Sequence, residues 1–131
     1  MSAVFDHAAI ETTRIEEDAR LYVEALGLSQ IRWGTHSVTG GRIAMLSDAE
    51  GVKIELIEVE SPTGTLAHLA FRSEDVTVAR AAAIAAGCVG EGELRWIEAA
   101  KATTAMVSLP SGALVQLIRY EADSPDLPGA G

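Results

Sequence analysis

Cysteine is nearly absent from this sequence: Cys88 stands alone and cannot close an internal disulfide, which fits a reducing cytoplasm. Long apolar runs are missing too, and nothing approaches the ~20 residues that a membrane-spanning helix needs. The opening MSAVFDHAAIE does not read as a signal peptide, so a cytoplasmic protein without a membrane partner is expected. Basic residues are scarce: ten Lys and Arg face nineteen Asp and Glu, a net charge of −9. No basic stripe remains to meet a phosphate backbone, which excludes nucleic acid as the expected partner.

What is present is core material. Of 131 residues, 48% are hydrophobic and the mean hydropathy is +0.19, so the chain reads as one folded domain. Its organisation is a repeat. IAMLSDAEGVKIELIEVE (43–60) laid on TAMVSLPSGALVQLIRYE (104–121) matches at Ala44/Ala105, Met45/Met106, Ser47/Ser108, Gly51/Gly112, Leu56/Leu117, Ile57/Ile118 and Glu60/Glu121 without a gap. The same offset of 61 lays DHAAIE on AHLAFR and matches His7 with His68. An offset of 63 places Ile31-Arg32-Trp33 on Leu94-Arg95-Trp96, as a short loop insertion would.

Each copy reads as strand, helix and three strands, giving an α+β fold of two tandem βαβββ modules. Module one spans about 3–60, a linker 61–64, module two about 65–121, and the tail 122–131 lacks apolar content and is expected to be loose. In module one, strand 3–10 leads to a helix capped by Thr12 or Thr13. Its stripe is Ile15, Ala19, Tyr22, Leu26, and Gly27 ends it. Strands 30–35, 42–47 and 52–60 follow, the last two joined by the turn Asp48-Ala49-Glu50-Gly51. Module two repeats the plan with strand 65–72, helix 74–86 and strands 92–98, 103–109 and 113–120.

The repeat pairs chemistry with chemistry. His7 and Glu55 stand 48 residues apart (55 − 7), as do His68 and Gln116 (116 − 68). Modules related by a pseudo-two-fold axis bring equivalent residues together, and two imidazoles, a carboxylate and an amide oxygen could surround a divalent ion. Singly, a strand histidine is a satisfied core residue more often than a ligand, and a strand glutamate is usually solvated. Their joint recurrence at one spacing is what favours a metal site.

The DHAAIE opening, LYVEALGL, the IELIE strand, AHLAF and the closing PSGALVQLIRY together resemble the vicinal oxygen chelate superfamily of glyoxalases, bleomycin-resistance proteins and extradiol dioxygenases. The resemblance runs from about Val4 to Tyr120. It implies sheets curled around a shared cleft, with metal ligands on the first and fourth strands of each module, here His7, Glu55, His68 and Gln116. It also implies one divalent ion (Ni, Co, Zn, Mn, Mg or Fe), a small-molecule substrate with neighbouring oxygens, and a homodimer. Isomerases of the superfamily usually carry glutamate where this chain has Gln116, and glutamine cannot accept a proton at neutral pH.

The expected activity is therefore that of a divalent-metal-dependent isomerase or lyase of glyoxalase or epimerase type. Glu55, the only carboxylate of the set, is the catalytic base next to a metal-chelated carbonyl. Alternatives are a ring-cleaving non-haem iron dioxygenase and a drug-binding protein of bleomycin-resistance type. Arg32, Trp33, Arg95 and Trp96 are weaker candidates for substrate binding at the cleft mouth, with cross-strand packing the favoured reading. Lys101, in the loop-like AAKATT, is a candidate for a substrate-covering loop, and solvent exposure explains it equally well.

Overall fold

The computed structural model describes residues 3–61 and 64–127. Ten elements follow in order: β1 Val4–Thr12, α1 Ile15–Leu26, β2 Ser29–Thr35, β3 Arg42–Ser47, β4 Lys53–Glu58, β5 Leu66–Arg72, α2 Val76–Ala86, β6 Val89–Ile97, β7 Ala102–Ser108 and β8 Leu114–Tyr120. They form two βαβββ modules within one eight-stranded mixed sheet of order β2-β3-β4-β1-β5-β8-β7-β6. Among the described residues no helix is long and apolar enough to cross a membrane.

The ladders reproduce the repeat residue for residue. β1 pairs in parallel with β4, placing Ala9 opposite Glu55; β5 pairs in parallel with β8, placing Ala70 opposite Gln116. Met45 faces Glu55 across β3–β4, as Met106 faces Gln116 across β7–β8. The modules join through antiparallel β1 and β5, where Ala8 pairs with its own equivalent Leu69, and His7/Ala70 and Ala9/His68 flank it symmetrically. The pseudo-two-fold axis passes through that pair.

Strand alternation decides which residues reach the core and which reach the cleft. Ala44, Leu46 and Leu56 pack under Ile15 and Ala19 of α1, while Val76 of α2 covers Ala105 and Leu117. The opposite faces of β3, β4, β7 and β8 present Met45, Glu55, Met106 and Gln116 to a shared concave side. The sheet curls until residues of both edge strands, Arg32 and Arg95, border that one cavity.

Local signals mostly act as expected. Asp48 Oδ1 accepts from the N–H groups of Glu50 and Val52 at 2.9 Å each, and Gly51 supplies the φ of 87° that closes the turn. The equivalent Gly112 has φ 90°. Gly27, at φ 77°, ends α1 and donates to Tyr22 and Val23 carbonyls.

Several expectations need correction. Thr12 is the last residue of β1, with Oγ1 accepting from Arg14 N–H, and Arg14 occupies the α1 cap without a side-chain bond. Leu26 is 67% exposed; Leu28, beyond the helix, packs against that core instead. Helix α2 begins at Val76 because the Asp75 carboxylate caps Thr77 and Val78. Residues 122–127 are not loose: Ser124 and Asp126 are 0% and 1% exposed, since their polar groups find partners beneath the cleft. Pro62 and Thr63 of the expected linker, and tail residues 128–131, lie outside the described residues.

Burial sets a direct test of this core. Leu46→Ala, at a fully buried site under α1, should lower unfolding free energy by about 2–5 kcal/mol in urea titration. Leu94→Ala, at a position 41% exposed, should change it by no more than about 0.5 kcal/mol.

Candidate metal centre

Three side chains from three strands meet at the cavity floor. His7 Nε2 lies 3.3 Å from His68 Nε2 and 3.6 Å from Glu55 Oε1, and His68 Nε2 lies 3.4 Å from the same oxygen. The imidazoles stand edge to face, centroids 5.4 Å apart. Register explains the meeting: β1 lies between β4 and β5, so its bulged strand carries His7 between the strands of Glu55 and His68. Gln116 of β8 lines the same cavity.

These donors fit a divalent ion. Atoms each ~2.1 Å from one ion, at tetrahedral angles, lie about 3.4 Å apart, close to the three separations seen. Two imidazole nitrogens and one carboxylate are a donor set for zinc, nickel, cobalt or ferrous iron. The Nδ1 of His7 is already committed: its N–H donates to Asp6 Oδ2 at 2.7 Å, which fixes the ring and leaves Nε2 facing the cluster.

Adjacent strand residues normally point to opposite faces, yet Asp6 and His7 are both buried. The register slips between Phe5 and His7 in the β1–β5 ladder, and this bulge at Asp6 brings the pair together. Tyr120 donates its hydroxyl to Asp6 Oδ2. Asp6 Oδ1 accepts no well-aligned hydrogen bond, but Lys53 Nζ lies 3.0 Å and Arg72 Nε 3.3 Å from it, so this contact is electrostatic.

Charge is shared unevenly. Burial opposes the charge on His7, but the Asp6 and Glu55 carboxylates outweigh it and raise its pKa to about 9. Burial and the neighbouring charge of His7 outweigh Glu55 at His68, whose pKa falls to about 4. Without metal, one imidazolium and one imidazole therefore face each other. Burial penalises the Glu55 carboxylate, yet His7, His68 and Arg32 hold its pKa below the usual range.

The other candidates separate. Arg32 borders the cavity, but Nε and Nη2 are bound at 2.7 and 2.9 Å by Asp126 Oδ1 and Oδ2. Arg95 borders the cavity and has no ion-pair partner among the described residues. Trp33 lies outside, with the Arg42 guanidinium 5.9 Å from its ring centroid. Trp96 is 50% exposed and donates to Glu98 at 2.6 Å. Lys101 sits in a turn at φ 48° and pairs with Asp123 at 2.6 Å, away from the cavity.

The expected equivalence of the two Arg-Trp pairs does not hold. Trp33 pairs with Ala44, whereas Trp96 pairs with Thr103, the counterpart of Arg42. The bulges differ, and β6 has two extra residues between Glu91 and Arg95. A two-residue stagger preserves the face, which is why both arginines still reach the cleft.

Sequence reading passed over Asp6, Lys53, Tyr120 and Asp126. Asp6 had a visible signal, an acid directly before a candidate ligand where the second copy has Ala67. Lys53 had another, standing two residues before Glu55 and hence on its strand face. Asp126 had none, because its role depends on where the tail docks.

No family model matches the chain, and no curated protein matches it in sequence. Solved structures do match. A Bacillus halodurans C-125 protein described only as hypothetical aligns with TM-score 0.79 at 23% identity, over 95% of this chain and 99% of that one. Methylmalonyl-CoA epimerase from Mycobacterium tuberculosis aligns with TM-score 0.78 at 18% identity, over 90% and 88%. A Streptomyces coelicolor methylmalonyl-CoA epimerase variant bound to 2-nitronate-propionyl-CoA gives 0.77 at 20%, over 92% and 97%. The fold is thus shared with these epimerases.

The opposed histidine shifts predict how the metal-free protein responds to pH. As pH falls from 6.5 towards 4, an unfolded His68 takes up a proton that the folded one refuses, so stability falls. As pH rises from 6.5 towards 9, folded His7 keeps a proton that the unfolded chain releases, so stability falls again. Thermal unfolding of metal-free protein between pH 4 and 9 should show both contributions, and His68→Gln should flatten the acid side relative to wild type.

Proposed function

We propose that the protein is a divalent-metal-dependent isomerase of the enolising kind, acting at a carbon next to a chelated carbonyl. The observation that carries this is the His7–Glu55–His68 cluster on the floor of a cavity of about 360 Å³. His7, Glu55 and His68, with Gln116 as a fourth donor, would hold the ion. When bound, a divalent ion supplies Lewis-acid polarisation of a substrate carbonyl. One of the similar structures is a methylmalonyl-CoA epimerase in complex with methylmalonyl-CoA. A small substrate with neighbouring oxygens, such as a 2-substituted acyl thioester or a hydroxy-ketone, suits a cavity of this size.

Glu55 is the base. Its carboxylate is kept ionised by the two imidazoles and Arg32, so it can take the α-proton while the electron pair moves onto the carbonyl oxygen. Gln116 occupies the equivalent place on β8 and has the same reach without the charge. It can orient a substrate oxygen through its amide but cannot take a proton. The ligand set therefore provides one proton carrier, which favours return of the proton from the face it left.

Metal uptake and proton exchange test this together. The purified protein should bind one divalent ion per chain by elemental analysis after reconstitution. His7 would have to give up its Nε2 proton to serve as a ligand, so binding should release protons near neutral pH and weaken as pH falls below about 9. In deuterated water the loaded protein should wash out the α-proton of methylmalonyl-CoA or of a hydroxy-ketone. Glu55→Gln should slow washout at least ~10²-fold. Absence of metal binding would sink the proposal, and full washout by Glu55→Gln would remove Glu55 as base. Two histidines and a carboxylate also suit ferrous iron, so catechol consumption by the iron-loaded protein would favour the dioxygenase alternative.

A further inference from the structure

Lys53 is 2% exposed, an unusual place for an ammonium group, and it lies between the cluster and the C-terminal segment. Its Nζ lies 3.0 Å from Asp6 Oδ1 and 3.2 Å from Tyr120 Oη, and donates to the backbone carbonyl of Asp126. The Tyr120 ring lies beneath it, centroid at 4.6 Å. Asp6 in turn holds His7 Nδ1. Asp126, 1% exposed, accepts from Nε and Nη2 of Arg32 with its two carboxylate oxygens, and Arg32 and Glu55 line the same cavity.

The segment itself is pinned. Ser124 donates its hydroxyl to the Ala100 carbonyl and accepts from Asp126 N–H at 3.1 Å. Residues 121–127 thereby tie β2 of module one to the β6–β7 turn of module two. The second module has no counterpart: Ala67 stands where module one has Asp6, and Leu114 where it has Lys53.

We propose, resting on the metal-binding reading above, that residues 121–127 are a positioning strap for the metal centre. Through Lys53 and Asp6 the strap fixes the His7 ring, and through Asp126 it keeps the Arg32 guanidinium from capturing Glu55. Asp126 is a positioning residue with two separable arms, since its carbonyl serves Lys53 and its carboxylate serves Arg32. Loss of the carboxylate frees a largely covered cation in the cavity that Glu55 also lines, and a bound ion would then compete with it for that carboxylate. Removing the arginine as well abolishes that competition.

Full-length variants and a cobalt(II) titration, followed by visible absorption, test this. Lys53→Met and Asp126→Ala should each bind at least about tenfold more weakly than wild type. The double variant Arg32→Met/Asp126→Ala should recover to within about threefold of wild type, and with Asp126→Ala as fully folded as wild type by circular dichroism this rescue reports competition at Glu55 and not loss of structure. In metal-free protein, the His7 Nδ1–H proton resonance should be present in wild type and in the double variant, and exchange-broadened in Lys53→Met.

Wild-type affinity in both single variants would overturn the strap, as would a double variant no tighter than Asp126→Ala. If Lys53→Met does not fold by circular dichroism, the Asp126→Ala pair decides. A wild-type protein that takes up no cobalt overturns the metal reading instead. The His7 resonance would then still show whether the strap orders that ring.

Discussion

The antiparallel pairing of β1 with β5 is the contact on which everything else depends. It runs through Ala8 and Leu69, equivalent residues of the two modules, and sets His7 and His68 on either side of that point. The flanking parallel pairs then bring in Glu55 and Gln116 at matching registers. Because strand side chains alternate with period two, a slip of one residue in any of these ladders would turn a donor away from the cavity. Fold and site are therefore specified by the same hydrogen bonds.

Symmetry of the backbone does not extend to the charges. Module one supplies a carboxylate, an acid behind its histidine and a buried lysine; module two supplies an amide, an alanine and a leucine at those places. Burying Asp6, Lys53 and Asp126 is costly unless each charge is matched, and the cost of removing one partner exceeds that of a surface pair. Here the matches converge on His7 and Arg32, so the electrostatics that stabilise the base of the cleft also orient the candidate ligands.

Much of this was legible in the sequence because repetition turns weak local signals into joint ones. A histidine in a strand means little, but His7 and His68 at one offset, each 48 residues before a long oxygen-bearing side chain, pointed to the pseudo-symmetry and to three side chains that the structure brings together, with Gln116 on the same cavity. The fold followed from the same offset, down to the paired turn glycines Gly51 and Gly112. The Arg-Trp match misled because sequence similarity ignores bulges: two extra residues in β6 move Arg95 and Trp96 along the ladder while keeping their face. Asp126 was invisible for another reason. A polar, proline-bearing tail looks solvated until Arg32 and Lys53, distant in sequence, are found waiting beneath the cleft for it.

The central claim is that the first strands of both modules and the fourth strand of module one converge on one divalent ion. Anomalous scattering at the cobalt edge, from crystals grown with cobalt, tests it most directly. The account predicts a single strong peak per chain within bonding distance of His7 Nε2, His68 Nε2 and a Glu55 carboxylate oxygen. A peak located elsewhere, or no peak while these three side chains remain in place, would contradict it.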